Sequence, residues 1–356
     1  MAHTSYYPPS GIYADSYKKD TRIIKTNTQR ILSIIGLILL FAVPQIPFLS
    51  SGYFLRLCIG TGISIIICLG LNILTGYCGQ LNIGQSAFVM VGAFTSGLLN
   101  FSLGWPFWAC VIPAGFAASV VGAFFGIPSV RLKGLYLALT TLGAQIILTW
   151  IALFYIPITS AGFTVEPVKV GSIVFDTPGK FYYIAMFFTV IMTFFAKNMM
   201  RSRWGRAFIA IRDNDKAAEA MGIDIFRYKL IAFTICTFYA GVAGALLVHY
   251  MMWAQLESFT LQDSIWYLVM IIVGGLGSIE GTIFGVIFII ALKELVFVIG
   301  PMLEGNLPFL PIGAGSGLLL IIVGGIAIFF LVFEPRGLSH RWNLIKAYYR
   351  LWPFGY

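Results

Sequence analysis

Ten runs of mostly apolar residues, separated by Gly, Pro and charged positions, dominate this chain. They fall near 31–49, 53–75, 85–100, 105–127, 135–156, 180–198, 228–251, 262–275, 280–300 and 314–333. A helix needs about 20 such residues to cross the hydrocarbon of a bilayer, and only lipid offers an apolar surrounding to so many of them at once. With 59% of 356 residues hydrophobic and 10% charged, the chain has far too little polar surface to close around a water-facing core. The mean hydropathy of +0.89 is sustained along the chain, which excludes a soluble enzyme held by one anchor. The sequence predicts an all-α polytopic membrane protein with about ten transmembrane helices. Spans 85–100 and 262–275 are short and Gly-rich, so each is expected either to cross fully or to be a broken, part-inserted helix.

The net charge of +9 reads as membrane topology rather than as a nucleic-acid surface, because of where the charges lie. Cytoplasmic loops retain Lys and Arg. With the N-terminus inside, 19 of the 23 basic residues share one side: five from Lys18 to Arg30, then Arg131 and Lys133, eight between Lys197 and Lys229, and four in the C-terminal tail. The even number of spans is what brings both tails to that side. The expected organisation is a cytoplasmic basic tail at 1–30, a transmembrane domain at 31–333 and a cytoplasmic tail at 334–356, all in a plasma membrane whose lipid is the chain's solvent. Two loops are long: an external one at 157–179, rich in Val, Ile and Pro and hairpin-like in pattern, and a basic internal one at 199–227.

Catalytic and cofactor chemistry find little support. The five cysteines form no Cys-x-x-Cys pair and sit mostly in apolar runs, and three scattered histidines cannot furnish a haem or zinc site. No cofactor is expected and no enzymatic activity. The first 30 residues are polar and basic, so no cleavable signal peptide is expected. Gly275-x-Gly277-x-x-x-Gly281 lies between apolar helices rather than in a βαβ unit, so it reads as a tight turn with close helix approach. No Gly-x-x-x-x-Gly-Lys-Ser/Thr occurs, so any ATP must be hydrolysed by another chain.

The internal loop holds a short helix with its own start and stop. Asp213, Asn214 and Asp215 are N-cap formers, Lys216 to Ala220 has high helix propensity, and Gly222 can adopt the left-handed stop. Ala217, Ala218 and Met221 are expected to make one small apolar face, suited either to a groove in a soluble partner or to the lipid headgroups.

The stretch from Arg203-Trp204-Gly205 through Ile211-Arg212-Asp213-Asn214-Asp215-Lys216-Ala217-Ala218-Glu219-Ala220-Met221-Gly222 to Ala240-Gly241-Val242-Ala243-Gly244 resembles the permease subunits of branched-chain amino-acid ABC importers, the LivM type. Gly76-Tyr77-Cys78-Gly79-Gln80-Leu81-Asn82-Ile83-Gly84-Gln85-Ser86, Gly274-Gly275-Leu276-Gly277-Ser278 and Pro335-Arg336-Gly337-Leu338 are similar to further landmarks of that family, in the same order. The resemblance implies a type II ABC-importer permease-like fold in the inner membrane of a prokaryote. It implies four kinds of role: this permease, a second related permease of LivH type, two ATP-binding subunits, and an external substrate-binding protein. It implies that Asp213, Asn214, Asp215, Ala217, Ala218, Glu219, Ala220 and Gly222 form the helix that couples to the ATPase. Related permeases carry branched-chain or other neutral amino acids, urea or short amides, and aromatic acids, and the sequence does not choose among these. A passive channel needs no such coupling loop, and a redox subunit needs ligands that are missing here.

Polar residues within spans mark helix contacts or a path. Asn82 and Gln85, with Ser86, are expected to line the translocation path, since they occupy a Gly-flanked break. Thr140, Thr141 and, as the alternative to a path role, Ser86 read as interhelical hydrogen-bond formers, Gln145 is a further polar residue of the fifth span that fits either role, and Lys293 and Glu294 read as residues with partners on neighbouring helices or at the interface. His249, Tyr250, Trp253, Trp266 and Tyr267 fit an interfacial aromatic belt.

Overall fold

A computed structural model describes residues 27–46, 51–132, 134–155, 162–170, 173–306, 314–334 and 336–351. Most of the basic N-terminal tail, Lys133, Pro335 and the beginning of the 157–179 loop lie outside these described residues.

Each of the ten apolar runs corresponds to a helix. These are α1 (Asn27–Ala42), α2 (Gly52–Asn72), α3 (Gln85–Leu103), α4 (Phe107–Val130), α5 (Leu135–Tyr155), α6 (Pro178–Arg201), α9 (Ile225–Met251), α10 (Leu261–Gly274), α11 (Ile279–Asn306) and α12 (Ala314–Phe333). Between α6 and α9 lie two shorter helices, α7 (Arg203–Asp213) and α8 (Asp215–Ala220), and the described chain closes with α13 (Gly337–Leu351). Among the described residues, eight helical segments are long and apolar enough to cross a membrane. Among them α2 and α9 are the most enclosed, so the bundle is built around these two, with the other helices presenting large apolar side chains outward.

Small residues set the closest helix contacts. A Cβ on Gly244 of α9 would overlap the Val89 carbonyl of α3, and one on Gly92 would overlap the backbone at Gly241. Where lipid removes the hydrophobic drive between helices, such backbone-to-backbone approach supplies the packing energy instead. The run Ala240-Gly241-Val242-Ala243-Gly244-Ala245 thereby lets α3, α4 and α9 meet.

The two ends of the bundle gather the loops that the charge pattern groups together. At one end Glu280, at the start of α11, lies 3.6 Å from Lys197 at the end of α6 and 2.6 Å from Lys346 of α13. At the other, β1 (Phe163–Thr164) pairs antiparallel with β4 (Trp253–Ala254), and β2 (Val168–Val170) with β3 (Ile173–Phe175) forms the hairpin expected there.

Both doubtful spans have a physical account. α3 is an unbroken nineteen-residue helix, preceded by an irregular segment that follows a π-helical turn at Ile73–Tyr77. α10 has only 14 residues, or about 21 Å at 1.5 Å per residue, and only together with the 3-10 turn at Leu256–Ser258 before it does the segment reach spanning length. The Phe259 carbonyl just before it accepts from Gln145 Nε2 at the middle of α5, 3.2 Å away, so the chain dips inward before α10 begins. The aromatic-belt expectation is corrected at two positions. His249 is buried against Ser96, with Nε2 3.0 Å from its hydroxyl, and Trp266 is 7% exposed beneath the Lys293 side chain.

Candidate functional site

The internal loop folds as its local chemistry dictates. Asn214 is the N-cap of α8, its Oδ1 accepting from Ala217 N–H at 3.2 Å, while Asp213 closes α7 instead of opening α8. At the other end Gly222 has φ +81; its N–H donates to Glu219 and the Ile223 N–H to Ala218, the paired bonds of a Schellman stop. The first turn of α8 is fastened to α9 by Lys229 Nζ, 3.4 Å from Asp215 Oδ2.

The expected single face of Ala217, Ala218 and Met221 is corrected. Ala218 is 4% exposed and packs into the core, while Ala217, Glu219, Ala220 and Met221 are exposed. Adjacent residues on a helix point about 100° apart, and a six-residue helix lying on α7 and α9 must give one flank to them. The small residue at 218 allows that approach, leaving Ala217 and Met221, four apart, on the open flank.

Arg212, two residues before the Asn214 cap, ties this loop to the membrane domain. Its Nη1 donates to the Gly76 carbonyl at 2.9 Å, and its Nε and Nη2 donate to Asp213 Oδ1. The side chain also lies across the Gly277 backbone, where a Cβ would stand 2.7 Å from Nη1. Gly277 has φ +76, so the turn after α10 requires glycine on two counts. Asn72 completes the junction: Nδ2 donates to Ser278 O at 3.0 Å and Thr282 Oγ1 at 2.7 Å, and Oδ1 accepts from Gly277 N–H at 2.9 Å. The Gly76–Gly79 and Gly274–Ser278 motifs and the loop carrying α8 therefore meet at one place. Neither Arg212 nor Asn72 was singled out for such a role by sequence pattern; glycines flanking both turns are the only local sign of it.

A second polar node surrounds the start of α3. Helices leave their first N–H groups without internal partners, and in hydrocarbon another chain segment must supply acceptors. Thr141 Oγ1 accepts from Ile83 N–H at 3.0 Å, Ser264 Oγ from Ser86 N–H at 2.8 Å, and Gln145 Oε1 from Ala87 N–H at 2.8 Å. Asn82 folds back on the break, its Oδ1 accepting from Gly84 N–H and its Nδ2 donating to Gln85 Oε1 at 2.8 Å. Asn82, Gln85 and Ser86 are all buried. Thr141 thus joins helices as expected, whereas the Thr140 hydroxyl donates to Leu137 within its own helix; the joining role of Gln145 was not read from the sequence, and Ser264 was missed, being one hydroxyl in an otherwise ordinary helix start. Gln85 Nε2 is buried without a hydrogen-bond partner, so the node holds a donor beyond those the fold itself uses; both amide atoms of Gln80, nearby in sequence, are likewise buried and unpartnered.

No solved structure matches this chain. Among known proteins, it is 29% identical over 318 residues to the high-affinity branched-chain amino acid transport system permease protein LivM of Escherichia coli, covering 82% of this chain and 71% of that one. The LivM protein of Salmonella typhimurium matches to the same extent. A probable branched-chain amino acid transport permease of Methanocaldococcus jannaschii is 24% identical over 315 residues, covering 78% of this chain and 90% of that one. The family model for the permease component of branched-chain amino acid transport systems matches residues 53–332, from the start of α2 to the end of α12. The match covers well over half of the chain and runs through all eight membrane-spanning candidates found among the described residues, so the chain belongs to the branched-chain amino acid transport system permease family.

Proposed function

We propose that this chain is the membrane-spanning subunit of an ATP-driven importer that brings branched-chain amino acids into the cell, with ATP hydrolysed by separate subunits. The observation that carries the reading is α8: a capped helix with an open flank, held at the end of the bundle where basic residues gather and fastened by Arg212 to the turns at Gly76 and Gly277. In this reading that end is cytoplasmic, as are both termini, and the β1–β4 end faces outward. Asp213, Asn214, Asp215, Ala217, Glu219, Ala220 and Gly222 form the docking segment, with Ala218 its inner support. An ATP-binding subunit seats on α8; a second, LivH-type permease completes the path; and an external binding protein delivers substrate.

Displacement of α8 has a defined route inward. Arg212 carries it to the turn following α10, and α10 is a short rigid lever whose other end holds Ser264 against the start of α3. Moving that lever separates Ser264 from Ser86 and exposes the node of Asn82, Gln85 and Ser86, so the path opens by helix displacement rather than through a standing channel. What supports this is the complete burial of the node together with the unpartnered amide nitrogen of Gln85.

The test is reconstitution of the permease pair with its ATPases in vesicles. ATP-dependent uptake of L-leucine, L-isoleucine or L-valine in the presence of loaded binding protein supports the proposal. Uptake confined to urea or short amides would replace the substrate class, and ATP-independent flux would replace the mechanism.

A further inference from the structure

Two charged side chains lie at membrane depth between α10 and α11. Asp263 is in the first turn of α10, 11 residues before Gly274, which at 1.5 Å per residue is about 16 Å above the turn that Arg212 touches. Lys293 is 13 residues beyond Glu280, whose ion pairs with Lys197 and Lys346 mark the basic end; it is therefore about 20 Å into the bundle. With the basic end read as one edge of a hydrocarbon core about 30 Å thick, both residues fall inside it rather than at an interface.

Their arrangement leaves both charges available. Lys293 Nζ sits 3.6 Å from the centroid of the Trp266 ring, on the same flank of α10 as Asp263, one turn further along. Asp263 Oδ2 accepts from Thr260 N–H at 2.9 Å and Thr260 Oγ1 at 2.6 Å. The two charges make no direct ion pair within 4.0 Å, yet Asp263 is near enough to act electrostatically on Lys293. Each side chain is half-buried, and Leu261, Gln262 and Ile265 around the start of α10 are exposed. Charges at such depth face protein or water and not lipid tails.

We propose that Asp263, Lys293 and Trp266 form a station on the translocation path for a zwitterion, such as a free α-amino acid. The ligand's ammonium takes the Asp263 carboxylate and the indole face, and its carboxylate takes the Lys293 ammonium, which leaves the ring. An ammonium and a carboxylate separated by one carbon bridge a gap that two opposite charges have left unclosed. The station adjoins Ser264 at the α3 node, so the movement that opens the node also changes the station's surroundings.

This inference rests on reading the chain as an importer permease. In the complete vesicle-reconstituted complex, Lys293→Met and Asp263→Asn should each lower L-leucine uptake about tenfold or more, while ATP hydrolysis stimulated by loaded binding protein stays within about twofold. Lys293→Arg should retain more uptake than Lys293→Met. Uptake within about twofold of wild type in both neutral variants would overturn the station, and so would recovery of uptake in the Asp263→Asn/Lys293→Met double variant, which marks a merely structural pair. Should these variants fail to assemble, Gln262→Cys decides: a water-soluble thiol reagent should reach it in the assembled complex, and leucine under turnover should slow the reaction. Reaction with lipid-soluble reagents alone would refute a path there. Failure of the importer reading itself is distinct, since the wild-type complex would then show no ATP-driven uptake.

Discussion

Ala217 and Ala218 are neighbours of opposite burial, one exposed and one in the core, and on the proposed docking helix substitutions separate their roles. Ala217→Arg places a large charge on the open flank of α8, where the fold has room, so the protein should insert normally, because an exposed position usually costs less than about 0.5 kcal/mol. Seated in a groove, the same side chain brings about 1–3 kcal/mol of overpacking besides its desolvation. Co-purification of the ATPase should fall about tenfold or more. Ala218→Glu forces a carboxylate into the core against α7 and α9, and should instead lower the permease's own thermal stability. Gly222→Ala should cost about 1–2 kcal/mol through its left-handed backbone alone, since nothing stands within 4 Å of the added methyl; unfolding of the loop followed by limited proteolysis measures it. Cys78, in the segment after α2, has its thiol pushed up to about 12 by burial, an effect the nearby Lys229 only partly offsets. Thiolate is therefore scarce below that pH, and alkylation of Cys78 should stay slow up to about pH 10 when followed by mass spectrometry. The cap at Asn214 and the stop at Gly222 were legible in sequence because they depend on bonds a few residues away. Which alanine turns inward was not, because α7 and α9 decide it.

At the scale of elements, the helices were readable and their interlocking was not. Ten apolar runs became ten helices because a span's length and composition are local properties, but the dip before α10 depends on Gln145 reaching Phe259 across 114 positions of sequence. The same holds for Arg212, whose partner Gly76 lies 136 positions away. Replacing Arg212 by Leu removes the tie between the loop and α2 while leaving α8's cap, stop and Lys229 contact in place. The expected result is an assembled complex that binds its ATPases yet loses most of its uptake, with hydrolysis less responsive to loaded binding protein; unchanged coupling would remove Arg212 from the route. Gly244→Leu tests packing instead. Its side chain would meet the Val89 backbone, which cannot yield as a flexible side chain does, so the destabilisation should exceed ordinary overpacking and the helices should fail to associate. Loss of monodisperse protein in detergent reads this out.

For the whole molecule, the account is that one end receives ATP-driven movement and the middle converts it into access. The charge count and the contacts at each end divide the loops in the same way, since Lys197, Glu280 and Lys346 meet at one end and β1 meets β4 at the other. Cysteines replacing Lys169 or Asp176 should accordingly react with impermeant reagents added outside intact cells, and one replacing Lys216 should not. In the proposed mechanism docking at α8 is the step on which everything else depends, and Met221, 82% exposed on its open flank, is the position from which to observe it. The decisive measurement is cross-linking from Met221→Cys with a short bifunctional reagent in native membranes, with and without ATP. The predicted result is a single adduct to an ATP-binding subunit whose yield changes with nucleotide; an absence of that adduct while the complex remains intact, or cross-links to lipid alone, would contradict α8 as the point where ATP drives the permease.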